Sequence, residues 1–327
     1  MIEAFKLLTK EIKEHEHIVI MGHKAMDLDA YGAALCLYEI ISPFKKDVMI
    51  YMSHDLENKS TEKSKQKLEE LNIDIKYAYQ ETDIYPNTLA IVVDTHKVTL
   101  LENYDAIKDQ DIFIIDHHIT NVETIPSMFT YINDTASSTV EIMINYAKYL
   151  NSVISPIVAT IMLAGMDVDT NAFNIKTTAD THDAAAYLLR AGADNIVKKQ
   201  LLKEDKENYC KRQDFVKNSN MITDKIALCV MDNNIYKKYM LALISEDLLQ
   251  FDNVEASFTI GYIDNNTVAI SARSIGNIDV EQIMYCLGGG GHKTDAASSI
   301  ENTTIESVKD KLIEIIKGCD ENEGNIS

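Results

Sequence analysis

IVIMGHKAMDLDAYGAAL, residues 18–35, runs from an apolar stretch straight into a histidine and two aspartates, then into small residues. Residues 18–21 read as a buried strand. His23, Asp27 and Asp29 stand in the loop that leaves it, and Ala30, Gly32, Ala33 and Ala34 begin a helix able to pack closely. A strand, an acidic loop and a helix in that order put ligand-bearing side chains beyond a strand end, where open α/β sheets hold their ligands.

The pattern repeats outward from this stretch. Strands are predicted at 17–21, 46–52, 73–79, 88–94 and 111–118, with helices at 30–41 and 59–71 between some of them. Short, fully apolar strands separated by helices predict a doubly wound, mainly parallel α/β sheet. Beyond it the chain turns helical, at 137–151, 156–170 and 183–193. The domain boundaries expected are 1–195 for this catalytic domain and 196–220 for a densely charged helical linker. A smaller mixed α/β domain follows over 221–318, and a disordered tail over 319–327. In the smaller domain KIALCVMD, KYMLALISE, EASFTIGYID and TVAISARS are read as strands, with a turn at Asp264-Asn265-Asn266 and a closing helix at 303–318.

Two domains also suit 327 residues. A formal charge of −20 argues against long nucleic acid as a partner, because affinity for a phosphate backbone comes from lysine and arginine. A small anionic ligand held through metal ions remains compatible with it. The five cysteines, Cys36, Cys210, Cys229, Cys286 and Cys319, form no C-x-x-C pair and read as reduced thiols of a cytoplasmic protein. No apolar run reaches the roughly 18–20 residues of a membrane span.

Four segments share one pattern, an apolar element followed by acidic or histidine groups: GHKAMDLD, VVDTH (Asp94, His96), IIDHH (Asp116, His117, His118) and GMDVDT (Asp167, Asp169). Three of them end predicted strands, so they can converge. Asp27, Asp29, Asp94 and Asp169 brought together would raise one another's pKa unless cations offset them. Imidazole with carboxylate suits Mn²⁺, Fe²⁺ or Zn²⁺ better than Mg²⁺. The surplus of ligands points to two ions, about 3.5–4 Å apart, the usual device for in-line displacement at phosphorus. Taken singly, Asp94 reads equally as a helix N-cap, His96 as a loop histidine, and His15, His17 and His54 as surface residues. Only one of Asp167 and Asp169 need point inward.

In the second half, SARSIG (271–276) precedes GGGGHKTDAA (288–297). The four glycines, Gly288, Gly289, Gly290 and Gly291, are read as ligand-approach residues rather than packing residues, able to turn backbone N–H groups toward an anion. Arg273, with Ser271 beside it, offers a guanidinium suited to phosphate, and His292 a further donor.

Together these motifs resemble the DHH phosphoesterases that carry a DHHA1 domain, over roughly residues 15–318, and within them the cyclic-di-AMP phosphodiesterases of the GdpP type. The wording of VDTH, ASST (136–139), LLKED (201–205), VEASF (254–258) and SARSIG leans that way. The resemblance implies two divalent metal ions, generally Mn²⁺. His23, Asp27 and Asp94 would hold one, and Asp29, Asp94, His117 and Asp169 the other, with Asp94 bridging. His118 would contact the scissile phosphate and Asp116 would orient a histidine, making His118, Asp94 and Asp116 the catalytic set. Ser271, Arg273, the 288–291 glycines and His292 would bind substrate. The implied reaction is hydrolysis of cyclic-di-AMP to linear 5′-pApA by hydroxide activated between the two metals, with a pApA or short-oligoribonucleotide hydrolase as the alternative. An inorganic pyrophosphatase and a silent nucleotide sensor fit less well. The membrane and sensory domains that usually precede this module are not read in the sequence, which is expected to be either an excised catalytic part or a free-standing enzyme, and a homodimer is left open. Met26 stands where such proteins usually have proline, which predicts a less rigid loop.

Overall fold

The computed structural model describes residues 1–54, 58–119 and 124–323, with side chains as far as Gly318. The chain divides into two units, Met1–Lys203 and Glu204–Ser327. The boundary falls inside the segment expected as a linker.

Apolar runs buried on both faces make the first unit's sheet parallel. Its strands are β1 (His17–Met21), β2 (Asp47–Tyr51), β3 (Tyr77–Ala78), β4 (Thr88–Val93), β5 (Asp111–Asp116) and β6 (Phe129–Ile132), in the order β3-β2-β1-β4-β5-β6 with every pairing parallel. The helices are α1 (Ile2–Glu14), α2 (Leu28–Ile41), α3 (Lys59–Glu70), α4 (Thr139–Leu150), α5 (Pro156–Asp169), α6 (Ala179–Arg190) and α7 (Asn195–Leu201). Alternate residues of β1, β4 and β5 enter two cores. Ile18, Ile91 and Phe113 pack in one with residues of α1, α2, α4 and α5; Val19, Val92 and Ile114 pack in the other with Leu101, Ile107 and Ile125. The strand order reverses between β1 and β4. That crevice is where a doubly wound sheet binds its ligand.

Two sequence expectations shift here. The stretch 73–79 pairs only through Tyr77 and Ala78, and the sixth strand, β6, was not foreseen because its half-exposed FTYI carries no clear alternation. Met26 is buried, and its carbonyl accepts a hydrogen bond from Thr61 Oγ1 at 2.8 Å. The loop is thus held by packing and a side-chain bond instead of a proline ring.

Helices α2 and α5 approach closely and run antiparallel. A Cβ built on Gly165 would lie 2.5 Å from the Leu28 carbonyl oxygen and 2.9 Å from the Asp29 Cα, while one on Gly32 would meet Met162 Cα at 3.1 Å. Gly165 therefore allows the start of α2, which bears Asp29, to sit against the end of α5, which bears Asp169.

In the second unit the sheet order is β11-β12-β10-β9-β8-β7, formed by β7 (Asn220–Met221), β8 (Ile226–Ile235), β9 (Ala256–Tyr262), β10 (Thr267–Ser274), β11 (Gly290–His292) and β12 (Asp295–Glu301). Only β8 and β9 pair in parallel. The unit's helices are α8 (Lys206–Lys217), α9 (Lys238–Leu248), α10 (Val280–Tyr285) and α11 (Ile305–Glu323). KYMLALISE is thus helical and not a strand. The buried residues of α9, Met240, Leu241, Ile244, Ser245 and Leu248, follow helical spacing, and Leu, Met and Ala favour the helix. The charged segment 196–220 folds as α7 against α5 in the first unit and α8 against α9 in the second. Helix α11 continues into the segment expected as a tail, and 324–327 lie outside the described residues. No described helix is long and apolar enough to cross a membrane.

Gly165→Ala meets backbone, which no rotamer change relieves, and is expected to cost about 1–3 kcal/mol by overpacking. Denaturant titration checks this, and an unchanged midpoint would contradict the close-packing account.

Candidate functional site

Each expected ligand is placed by the end of an element. His23 follows β1, and Asp27 is the N-cap of α2, its Oδ1 accepting from the backbone N–H groups of Asp29 (2.9 Å) and Ala30 (3.1 Å). Asp94 follows β4 in the left-handed region, φ 61°, with its backbone N–H still bonded to the Ile115 carbonyl at 3.0 Å; such outliers gather at functional sites. Asp116 ends β5, His117 and His118 come next, and Asp169 closes α5.

The side chains meet in three overlapping groups, each with its ligand atoms within 4.8 Å of one another: His23, Asp27 and Asp94; Asp29, His117 and Asp169; Asp94, His117 and His118. Asp94 links the first two sets through different oxygens. Its Oδ2 lies 3.5 Å from His23 Nε2, and its Oδ1 lies 3.4 Å from His117 Nε2. Asp167 instead pairs with Lys198 at 3.1 Å, so of the two candidates Asp169 faces the cluster. His15 and His17 lie against Asp111 and Asp47, and His54 stacks on Tyr79, all apart from it.

A divalent cation fits the donor set. His117 Nε2 is buried without a hydrogen bond, yet Asp169, Asp94 and Asp29 oxygens stand 3.2, 3.4 and 3.9 Å away. Its Nδ1 faces the Ala136 carbonyl at 3.4 Å, as His23 Nδ1 faces the Lys24 carbonyl at 2.8 Å. A proton on each Nδ1 leaves each Nε2 lone pair aimed at carboxylates, the usual way an outer acceptor fixes a metal-binding imidazole.

Without cations the cluster binds protons. Burial works against a charged His23, but Asp27 and Asp94 outweigh it and push it up to about 12. Burial likewise opposes charge on His117, and Asp169 and Asp94 carry it well above its ordinary value. Asp169 rises to about 6, through burial first, with His117 opposing and Asp27 and Asp94 adding to the rise. Asp29 is raised by burial and then by the charges of Asp94 and Asp169. For Asp94 burial is overcome by His117 and His23, which hold it well below the usual carboxylate range.

Asp116 is fully buried and holds two imidazoles. Its Oδ2 lies 2.5 Å from His96 Nδ1; its Oδ1 lies 2.8 Å from His118 Nδ1 and accepts the backbone N–H groups of His117 (2.7 Å) and His118 (3.1 Å). Burial pushes its pKa up, yet His118 and His96 pull it down to about 2. His96 is therefore a buried partner of Asp116 and not an ordinary loop histidine, while half-exposed His118 engages Asp116 through Nδ1.

Sequence reasoning missed Thr139. Its Oγ1 donates to Asp94 Oδ1 at 2.9 Å, and its backbone N–H donates to Asp29 Oδ2 at 2.7 Å. The Ser138-x-x-Glu141 spacing, a helix-start signature, was the available signal.

In the second unit a cavity of about 290 Å³ is lined by α9 and by β10 and β12, with Lys238, Tyr239, Ser271, Arg273, Asp295 and Ser299 among its residues. Ser271 and Arg273 thus reach it; the 288–291 glycines and His292 are not in its lining, although β11 pairs with β12 so that His292 stands level with Asp295. The Arg273 guanidinium is held by Asp295 at 2.6 Å and Glu246 at 3.5 Å. The glycine run corrects the sequence reading, because two of its members are packing residues. A Cβ on Gly289 would strike the Ala297 carbonyl at 2.1 Å, and one on Gly291 the Asp295 carbonyl at 2.4 Å. Gly290 alone has open space and no left-handed backbone.

Residues 17–166 match the DHH family, N-terminal domain, and residues 223–319 match the DHHA1 domain. The cyclic-di-AMP phosphodiesterase GdpP of Bacillus subtilis (strain 168) is 33% identical over 93% of this chain, which spans only 48% of that relative's length. NrnA of Mycoplasma genitalium, a bifunctional oligoribonuclease and PAP phosphatase, is 24% identical over 94% of each chain. The solved structure of an exopolyphosphatase-related protein from Bacteroides fragilis shares the fold, with a TM-score of 0.80 at 20% identity over 98% of both chains.

Ligation needs neutral imidazoles and ionised carboxylates, so a cation must displace the protons of His23 and His117, and below about pH 6 that of Asp169 as well. Apparent Mn²⁺ affinity is therefore expected to rise with pH by roughly tenfold per unit for each proton displaced. Calorimetry in buffers of differing ionisation enthalpy measures the release; a pH-independent affinity would contradict the charge assignment. Gly289→Ala is expected to lower the unfolding temperature, and Gly290→Ala to leave it unchanged. Equal effects would remove the packing distinction.

Proposed function

This chain belongs to the DHH family and carries a DHHA1 domain, and from that premise we propose that it is a metal-dependent phosphodiesterase opening cyclic-di-AMP to linear 5′-pApA. The observation that carries the reading is the pair of ligand sets meeting at Asp94, one oxygen toward each. Such a site supports phosphodiester hydrolysis, and imidazole mixed with carboxylate favours manganese. His23, Asp27 and Asp94 would hold one ion, and Asp29, Asp94, His117 and Asp169 the second. Bound there, the ions would supply Lewis acidity at phosphorus and a lowered pKa for water.

The chain's own groups do the rest. Asp116 raises the pKa of His118 against the opposing effect of burial and engages its Nδ1, which would leave Nε2 for the substrate. The protonated ring would donate to a non-bridging phosphate oxygen as charge develops there. His96 fixes the far oxygen of Asp116, so the carboxylate cannot rotate away from His118. The second unit would bind the nucleotide through Ser271 and Arg273, with His292 on the neighbouring strand level with Asp295. With a net charge of −20, local cations of this kind are what would admit an anionic dinucleotide. The described cysteines are free thiols, which fits a cytoplasmic setting.

One observation favours a second reading. NrnA matches this chain over nearly its own full length, which supports hydrolysis of pApA or short oligoribonucleotides to AMP by the same centre.

Chromatography of products from cyclic-di-AMP, cyclic-di-GMP, pApA and a short RNA, each with Mn²⁺, separates the two. Accumulation of pApA is the expected result. Rapid AMP from pApA with the ring untouched would move the protein to the second reading. Asp94→Ala should lose more activity than the roughly 10–100-fold typical of changes outside the ligand shell.

A further inference from the structure

The N-terminus of α4 reaches into the metal centre without supplying a ligand. The Thr139 and Val140 N–H groups bond the two oxygens of Asp29, at 2.7 and 2.8 Å, so a buried carboxylate sits on the positive end of a helix. The Thr139 hydroxyl bonds Asp94 Oδ1, the oxygen that faces His117, and leaves Oδ2 facing His23.

That N-terminus is itself fixed from behind. Ser138 caps α4 through the Glu141 N–H at 3.2 Å. Glu141 is 4% exposed, and its Oε2 accepts from Ser137 N (3.1 Å), Ser137 Oγ (2.7 Å) and Thr181 Oγ1 (2.8 Å). Through Thr181 this ties α4 to the start of α6, the helix that follows the segment bearing Asp169.

We propose that Thr139 is a positioning residue of the metal centre: its hydroxyl sets which oxygen of Asp94 faces which ligand set, and its backbone N–H helps hold Asp29 in line with them. The inference rests on the metal-centre reading above. A carboxylate shared by two ions must keep its plane between them, and Asp94, on a single left-handed residue after β4, has Thr139 as its neutral hydrogen-bond donor. Removing the hydroxyl frees the carboxylate to rotate about its last torsion, so both ligand sets loosen together.

The test titrates Mn²⁺ into the parent, Thr139→Val and Thr139→Ser by electron paramagnetic resonance, with unfolding temperatures of the metal-free forms recorded beside it. Thr139→Val keeps the shape and loses the donor; its Mn²⁺ affinity should fall roughly 10–100-fold, as for other groups that orient ligands. Thr139→Ser keeps the donor and should stay within about threefold of the parent. Should Thr139→Val fail to fold, Thr139→Cys, with a weak S–H donor, takes its place, and its affinity should lie below that of Thr139→Ser. Parental affinity in the donor-deficient variant overturns the inference while leaving the metal centre standing. Absence of Mn²⁺ binding in the parent removes the metal centre and the inference with it.

Discussion

Like charge crowded at the ends of parallel strands is the constraint around which the first unit is arranged. Asp27, Asp29, Asp94 and Asp169 converge where the sheet order reverses, and their mutual repulsion must be offset for the fold to persist. Backbone dipoles do part of this. Asp27 caps α2, and Asp29 lies on the first N–H groups of α4. Histidines do another part, with His23 and His117 holding protons that the surrounding carboxylates stabilise. Divalent ions would complete the neutralisation by displacing those protons. Structure and chemistry thus share one electrostatic requirement.

Packing makes the convergence possible. The glycine at 165 lets α5 touch the backbone of α2, bringing Asp169 to Asp29 from a helix outside the sheet. Asp116 extends the cluster by a further layer, buried between His96 and His118, so that an exposed imidazole is aimed by a carboxylate that water does not reach.

Much of this was legible in the sequence because it depends on local order. An apolar run followed at once by Asp or His marks a strand end, so β1, β4 and β5 and the residues after them could be read directly. Asp169 was legible as one of a pair, and only the Lys198 contact separates it from Asp167. What stayed hidden depends on partners distant in the chain. KYMLALISE reads as a strand by apolar content, and its helical register shows only once Met240, Leu241, Ile244 and Leu248 are seen buried on one side. The glycine run looked like a ligand cradle, yet Gly289 and Gly291 are required by the backbone of β12. Thr139 carries no metal-ligand signature, and its role emerges only from its distance to Asp94.

The central claim is that Asp94 is shared between two metal ions. Diffraction from crystals grown with Mn²⁺, recorded at the manganese absorption edge, tests it most directly. Two anomalous peaks about 3.5–4 Å apart are predicted, each within bonding distance of a different Asp94 oxygen. A single peak, or two of which one is remote from Asp94, would contradict it.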